Sequence, residues 1–343
     1  MLSAKYITGC VLAIGLLAAC SKKETFDVKG DATVKFFVNN AALGNAPQNS
    51  ISFAVVNYPQ ATGTGLVNLS SNIPATIKIP VFATRDVSAS VDISATLDNG
   101  LIAQYNTANN TNYKAFPEGF LNTANLKATI GQGTSVSADS IVVTADITKL
   151  TDLADTAYMA PLKLQSVSNQ SVGQISNTAA LQVVYIVVNV EQRKIKYLAT
   201  TADVMGALVT ARTAWQVNLT PVPTLSAGSI TDGSVNTFAR WDISNPQVDV
   251  MMPESKNVTG IRIHTSTSST TSPTQVQVQL SEDGVTYQNI GTPLRANLTY
   301  ASGYTYILFY KAIPAKYIRL NPLYSTSTNT QNRRVTELDV YVN

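Results

Sequence analysis

The fold is decided most clearly by the stretch Gln275-Val276-Gln277-Val278-Gln279-Leu280, which is followed by Ser281-Glu282-Asp283-Gly284. Apolar and polar residues alternate strictly in its first six positions, which is typical of a β-strand with one buried and one wet face. Val276, Val278 and Leu280 are therefore predicted to point inward. Gly284 accepts the positive φ that a hairpin turn needs, so this strand is expected to pair with the one after it.

The same period of two runs through the chain from about residue 32, with turn residues between the segments. In the first half, the strand candidates are residues 33–38, 51–57, 75–81, 90–97, 128–130, 140–147, 160–167 and 181–190. In the second half, they are residues 248–252, 258–264, 275–280, 304–310, 317–320 and 337–342. Residues 181–188 are apolar on both faces, which predicts a central strand.

The periodicity breaks into charge at Glu191-Gln192-Arg193-Lys194, and a proline-rich passage follows soon after. A domain boundary near residue 195 fits this break. The sequence thus predicts an all-β protein with two antiparallel β-sandwich domains in tandem, over residues 31–193 and 200–343.

The N-terminus has the features of an exported, lipidated protein. Lys5 precedes a short apolar run that ends in Leu17-Ala18-Ala19-Cys20, and this run is shorter than a membrane span. Residues 1–19 are predicted to be a signal peptide, Cys20 the lipidation site and residues 20–30 a tether. Lys23-Glu24 resembles the surface-export signal of Bacteroidota lipoproteins, which implies an outer-membrane protein facing the cell exterior.

Composition excludes several classes of function. Only 13% of residues are charged and the formal net charge is +3, so the basic stripe that nucleic-acid binding requires is missing. The chain has two cysteines, of which Cys10 would leave with the signal peptide, so no disulfide within the mature chain is expected. The second half is too short for a (β/α)₈ catalytic barrel, and we expect no enzymatic activity.

The first domain carries spaced aromatic elements in order. They are Tyr105-Asn106, Tyr113, Phe116-Pro117, Ile130-Gly131 and Tyr158-Met159-Ala160-Pro161-Leu162. This pattern resembles the immunoglobulin-like domain of unknown function found at the N-terminus of many Bacteroidota lipoproteins, including surface glycan-binding proteins and endo-glycosidases. The resemblance implies an Ig-like sandwich, and we interpret these aromatics as structural.

The second domain contains five motifs in order. They are the segments 232–238, 258–263, 278–287, 315–320 and 337–341. Together they look like a discoidin, or coagulation factor 5/8 type C, domain. The resemblance implies a jelly-roll sandwich whose loops at one end bind a ligand, in bacterial members usually a sugar. Arg319 alternates with apolar neighbours and is interpreted as structural.

The resemblance also implies a structural Ca²⁺. The matching side chains here are Asp232, Thr237 and Glu337, while Ser234 stands where a second acidic residue is usual. Calcium prefers six to eight oxygen ligands, so the missing carboxylate weakens the site, and a plain Asp-Gly turn with a surface Glu is the alternative.

A sugar site needs aromatic rings and a few directed polar groups. Galactose-binding members carry an Arg shortly after the strand that ends at His264, whereas this chain has Thr265-Ser266-Thr267, which disfavours a galactose-type pocket. The predicted glycan contacts are Trp241, His264, Tyr300, Tyr304, Tyr324, Asn332 and Arg333, with Trp215 and Arg334 as further candidates. Trp241 lies either in the loop or in the core, and His264 is either a sugar contact or a strand-end residue.

The sequence as a whole therefore predicts a lipid-anchored surface protein that captures a polysaccharide or oligosaccharide without catalysis, through loops of the second domain. The alternative is an adhesive or structural subunit that contacts a protein, such as an outer-membrane transporter or a host surface.

Overall fold

The computed structural model describes residues 33–39, 50–265, 272–325, 329–330 and 333–343. The predicted signal peptide, Cys20, the tether and Asn332 lie outside these residues. Among the helices described, none is long and apolar enough to cross a membrane.

In its described residues, the first domain is built of strands and one α-helix. The strands are β1 (Lys35–Phe37), β2 (Ser50–Pro59), β3 (Leu66–Ser71), β4 (Thr76–Ile79), β5 (Phe82–Ala83), β6 (Val91–Leu97), β7 (Leu121–Asn125), β8 (Lys127–Ile130), β9 (Ile141–Ala145), β10 (Ala157–Val167), β11 (Gln174–Ile175) and β12 (Val183–Gln192). The helix α1 is Gly100–Asn109, and short 3₁₀ helices span Ile147–Asp152 and Ala179–Leu181.

The main sheet of this domain has the strand order β3-β2-β12-β10-β6-β8. Smaller sheets, β4-β9-β7 and β11-β1-β5, lie against it across an apolar core that includes Phe36, Ile79, Ile93, Ile141 and Leu162. The central position predicted for residues 181–188 is confirmed by β12. The sheets are not wholly antiparallel, because β12 pairs with β2, and β1 with β11, in parallel.

The second domain begins its strand pairing at Ile195. Its strands are β13 (Ile195–Lys196), β14 (Ala207–Leu208), β15 (Gln216–Thr220), β16 (Leu225–Ala227), β17 (Phe238–Arg240), β18 (Gln247–His264), β19 (Gln275–Ser281), β20 (Gln288–Gly291), β21 (Thr299–Ala301), β22 (Tyr304–Leu323), β23 (Arg334–Val335) and β24 (Glu337–Val342). Short 3₁₀ helices span Thr201–Asp203 and Arg295–Asn297.

Two long strands, β18 and β22, organise this domain. Each merges two of the predicted strands, and each passes through a proline, Pro253 or Pro314. Val250 and Ile261, from the two halves of β18, belong to one buried cluster. The long strands therefore fold over a single core, and the all-β sandwich prediction is confirmed.

The opening stretch behaves as its alternation predicts. Val276, Val278 and Leu280 are buried, and β19 pairs with β20 across a turn in which Gly284 has φ +77°. Arg319 is structural, since its guanidinium binds Asp249 with Nε to Oδ1 at 2.8 Å.

The two domains meet along β22. The rings of Tyr58 and Tyr310 stack with centroids 4.1 Å apart, and Lys311 Nζ donates to the carbonyl of Gly63.

Glu337 and Val342, the two ends of β24, are five residues or ~17 Å apart, and Gly206 packs against the carbonyl of Val342. The far end of β24, at Glu337, lies away from the domain junction.

Candidate functional site

A buried ion network lies at the start of β24. Glu337 is 1% exposed and Asp339 2% exposed. Arg212 Nη1 donates to Glu337 Oε1 at 2.6 Å, to the carbonyl of Leu338 at 3.2 Å and to Asp339 Oδ1. Arg262 Nε donates to Asp339 Oδ2 at 2.7 Å. Two carboxylates and two guanidinium groups therefore compensate one another inside the domain.

The environment of Glu337 favours its neutral form. Burial raises its pKa to about 7, with further raising by Asp339 and Asp232, while Arg212 and the backbone N–H of Gly233 act in the opposite sense. Gly233 N donates to Glu337 Oε2 at 3.1 Å. Glu337 is thus a proton-binding group near neutral pH, and it connects the network to the loop around Asp232.

A pocket of about 230 Å³ opens beside this network, and we call it the Trp215 pocket. It is lined by Thr210, Arg212, Thr213, Trp215, Ser229, Thr231 and Asp232. The turn that forms it is held by the N–H of Trp215, which donates to the carbonyl of Arg212 at 3.0 Å. The pocket combines an edge of the Trp215 ring, one cation, one carboxylate and four hydroxyl groups. Trp215 is 8% exposed and packs in the apolar core with the rest of its ring.

Polar atoms of the Trp215 pocket remain available to a ligand. Within the described residues, Arg212 makes its hydrogen bonds through Nη1, which leaves Nη2 and Nε without an acceptor. Asp232 accepts from Ser234 N at 2.9 Å and from Thr237 Oγ1 at 3.0 Å through Oδ1, and Oδ2 accepts no hydrogen bond in the same part of the chain. The buried carboxylates fix the guanidinium, so a donor and an acceptor are held in place beside the ring.

The loop that precedes β17 gathers oxygen atoms around one hydroxyl. Thr237 Oγ1 lies 3.0 Å from Asp232 Oδ1, 3.0 Å from the carbonyl oxygen of Ser229 and 2.8 Å from that of Ser234. One hydroxyl has one proton for these three acceptors. Together with the nearby Glu337, these oxygen atoms are ligands of the type that calcium prefers. Across the described ranges, no group of three or more His, Cys, Asp or Glu side chains could hold a metal ion, so the set depends on backbone and hydroxyl oxygens.

Comparison with known proteins agrees with this architecture. Residues 213–336 match the family model of the F5/8 type C domain. The C-terminal domain is a discoidin-type domain. A second family model, described as an N-terminal domain, matches residues 47–171. No curated protein matches the chain.

Solved structures resemble both the whole chain and the discoidin-type domain. A two-domain protein of unknown function from Bacteroides fragilis is 14% identical, with 90% of this chain and 94% of that chain covered and a TM-score of 0.50. A CBM32 module from Clostridium perfringens in complex with GalNAc-β-1,3-galactose is 14% identical, with 40% and 100% covered and a TM-score of 0.32. The CBM32 of AlyQ in complex with 4,5-unsaturated mannuronic acid is 16% identical, with 40% and 96% covered and a TM-score of 0.30.

Three of the predicted glycan contacts are buried in the discoidin-type domain. Trp241 is 1% exposed and lies in the core, where Nε1 donates to the carbonyl of Pro221 at 2.9 Å. Tyr324 is also 1% exposed, and its hydroxyl donates to the carbonyl of Arg334 at 2.9 Å. Arg333 Nη1 donates to the carbonyl of Asp242 at 2.6 Å. Each of these side chains is committed to holding loops together, which does not support its prediction as a ligand contact.

His264 also has a structural environment. Its Nδ1 is hydrogen-bonded to Thr336 Oγ1, and the ring of Tyr304 meets it edge-on at 4.9 Å. Gly303, with φ +85°, packs so closely on the other ring nitrogen that a Cβ there would overlap it. Burial lowers the pKa of His264, helped by Arg334. The imidazole therefore supports the turn between β21 and β22 rather than facing an open pocket.

Tyr300 and Tyr304 are half-buried and do not form one platform. Tyr300 pairs with Thr305 across the β21–β22 hairpin, while Tyr304 pairs with Ala301. Residues paired across strands share a face and neighbours alternate, so the two rings point to opposite faces. One face of Tyr304 is also covered by the Arg262 guanidinium, 4.1 Å from its centroid.

Arg212, the central donor of the Trp215 pocket, was missed from the sequence. Its partners Glu337 and Asp339 lie 125 and 127 residues away, so no local pattern marks it. The available signal was its position three residues before Trp215, which had been a candidate, in a segment rich in threonine. The predicted calcium residues Asp232, Thr237 and Glu337, by contrast, are brought together around the Gly233 loop.

Proposed function

We propose that this protein is a lipid-anchored carbohydrate-binding protein of the outer cell surface, which captures a glycan without catalysis through its discoidin-type domain. The observation that carries the proposal is the Trp215 pocket. The edge of the Trp215 ring that lines the pocket can contact C–H groups of a sugar, while Arg212 donates to its hydroxyls and Asp232 accepts from them. The volume of the pocket suits one sugar unit rather than a long segment of a chain.

The position of the pocket supports capture from outside. It lies by Glu337, at the end of β24 away from Val342, while the contacts with the N-terminal domain are made through Tyr310 and Lys311. In the proposal, the N-terminal domain and the lipidated tether hold the pocket away from the membrane. Many anchored copies raise the effective concentration, so weak binding at each site is sufficient.

A structural calcium ion is part of this proposal. Asp232, Thr237, Glu337 and the carbonyls of Ser229 and Ser234 would hold it, and it would supply the positive charge that orders the loop beside the pocket. Chelator is expected to lower the thermal midpoint of the discoidin-type domain and to weaken glycan binding. An unchanged midpoint with added calcium and with chelator would remove the ion from the proposal.

The experiment that tests the function is calorimetry or affinity gel electrophoresis of the chain from Ser21 to Asn343 with a panel of polysaccharides. Thr213 is exposed at the rim of the pocket, so Thr213→Trp fills it without removing core packing. We expect binding to weaken at least ~10-fold, since contacts at the centre of a site dominate its affinity. Trp215→Phe keeps an apolar ring and should weaken binding less.

The matched control is Thr286→Trp, an exposed threonine in the turn between β19 and β20. It adds the same side chain away from the pocket and should bind like the parent. Equal affinities for Thr213→Trp and the parent would refute the pocket as the site. Failure of every glycan to bind, with capture of a transporter subunit instead, would favour the adhesive alternative.

A further inference from the structure

The N-terminal domain has a groove of its own, formed where α1 stops covering the main sheet. Ile102 of α1 packs on Met159 and Val187, which are register partners on β10 and β12. The next pairs along the same face, Pro161 with Tyr185 and Lys163 with Val183, extend beyond the helix. Lys163, Val183 and Tyr185 of these pairs line a groove of about 410 Å³, a volume in the range of small-ligand sites.

We call this the Tyr185 groove. Its lining includes Val183, Gln104, Tyr105, Asn109, Lys163, Gln182 and Tyr185. The helix supplies one wall and the 3₁₀ segment around Ala180 supplies the other. The groove thus lies between two elements of the described part of the chain.

Two tyrosine rings line the groove at an angle. The centroids of Tyr105 and Tyr185 are 4.7 Å apart with an interplanar angle of 53°. Both rings are half-exposed, and the Tyr185 hydroxyl makes no hydrogen bond within the described part of the chain. Burial raises the pKa of both phenols, so each hydroxyl stays protonated and can donate as well as accept.

The polar groups around the rings are mainly neutral amides. Gln182 is fixed by its Nε2, which donates to the carbonyl of Ser176 at 2.5 Å, and its Oε1 remains an acceptor. Gln104 extends from the exposed side of α1. Among the described residues of the lining, Lys163 is the one that is charged, and Asp98 Oδ2 lies 4.0 Å from its Nζ, so this part of the groove has little net charge.

We propose that the Tyr185 groove is a second binding site, and that it takes a neutral saccharide. Angled aromatic rings cover the C–H faces of sugar rings, and fixed amides exchange hydrogen bonds with their hydroxyls. A phosphorylated or strongly acidic ligand would need a cluster of cations, which the described residues of the lining do not form. This site is independent of the Trp215 pocket, since it is built entirely from the N-terminal domain.

Two sites on one chain favour a polymer over a short sugar. Tyr185 lies seven residues before Gln192, the last residue of β12, which places the groove ~23 Å along the strand from the domain junction. The Trp215 pocket lies beyond the junction, in the other domain. A glycan long enough to reach both would bind the second site at high effective concentration.

The test measures oligosaccharides built of glucose, galactose, mannose or xylose by calorimetry, on the chain from Ser21 to Asn343. In the Thr213→Trp background, which blocks the Trp215 pocket, one saccharide per chain should still bind. Adding Tyr185→Ala should weaken that binding at least ~10-fold, whereas Tyr185→Phe, which keeps the ring, should weaken it only a few-fold. Ala180→Trp fills the groove from an exposed position and should act like Tyr185→Ala.

The control is Thr107→Trp, on a solvent-exposed position of α1 outside the groove lining, which should bind like its parent. If Tyr185→Ala fails to fold, Ala180→Trp decides. If Thr213→Trp alone removes all binding, the groove is not a site, although the proposed function stands. If the Tyr185 variants remove all binding and Thr213→Trp removes none, the groove is the site and the Trp215 pocket fails. If no saccharide binds the parent or any variant, the proposed function and the proposed groove site are both refuted.

Discussion

The two domains differ in what they bury. In the part of the chain described, the N-terminal domain buries two polar side chains, Asn57 and Ser176, beside an apolar core. The discoidin-type domain buries Glu337 and Asp339 against Arg212 and Arg262 as well as an apolar core. Similar β-sandwiches can therefore have different electrostatic requirements. The discoidin-type domain should depend on charge and pH where the N-terminal domain depends on packing.

Removal of Asp339 should have the largest effect on the difference between the two domains. Asp339→Ala leaves Arg212 and Arg262 without their shared carboxylate, and uncompensated buried charge costs about 3–5 kcal/mol. Urea unfolding should show a loss of that size in the transition of the discoidin-type domain and no change in the transition of the N-terminal domain.

The control for Asp339→Ala is Asp249→Ala, which breaks the more exposed ion pair with Arg319. That change should cost about 1 kcal/mol or less, because solvent screens such pairs. Equal losses for the two variants would mean that burial of the network contributes nothing special, and the distinction between the domains would fall.

The second test uses the proton on Glu337 and is done with chelator present, because a calcium ion bound at Glu337 would displace that proton. Its pKa is about 7 in the folded domain, against 4.5 for an ordinary glutamate. The folded state therefore holds a proton between pH 4.5 and 7 that the unfolded chain has lost. This contribution to the free energy of unfolding is fully present below pH 4.5 and falls by about 3 kcal/mol as the pH rises to 7.

Glu337→Gln isolates that effect, because it removes the titration while keeping the shape. The lowered pKa of His264 acts in the opposite direction below pH 6.5, so the quantity to measure is the difference between parent and Glu337→Gln across the pH range. The lowered pKa values of Asp203 and Asp283, about 2 each, act below pH 4 and do not overlap. A difference that stays constant from pH 4.5 to 7 would contradict the prediction.

The fold could be predicted from the sequence where the residues of a single strand show a clear apolar pattern. The alternation at Val276, Val278 and Leu280 and the two-faced apolar run that became β12 were sufficient. The helix α1 was missed because Asp98-Asn99-Gly100 indicates a turn and only Ile102 of the helix is buried. The long strands β18 and β22 were divided because their solvent-exposed middle, as at Pro253-Glu254-Ser255, interrupts the apolar period.

The candidate site was less predictable because burial is a property of the whole fold. Trp241 and Tyr324 are aromatic residues of the type that forms sugar-binding platforms, yet both are core residues in the structure. Arg212 is marked by no local sequence pattern, yet two carboxylates more than 120 residues away orient it beside Trp215. The sequence therefore predicts a site in the discoidin-type domain, while the register of β24 places the two carboxylates that hold Arg212 beside the pocket.

The smallest expected effect is a matched change in the two apolar cores. Ile93 in the N-terminal domain and Ile318 in the discoidin-type domain are both fully buried, at 0% exposure. Ile93→Val and Ile318→Val each remove one methylene and should cost about 1 kcal/mol in their own domain. Urea unfolding at pH 5 and pH 8 should give each variant the same loss at both pH values, since neither side chain contacts the ion network. A pH-dependent loss for Ile318→Val alone would mean that packing and ionisation are coupled in the discoidin-type domain. The difference between the domains would then extend beyond the ion network into the core itself.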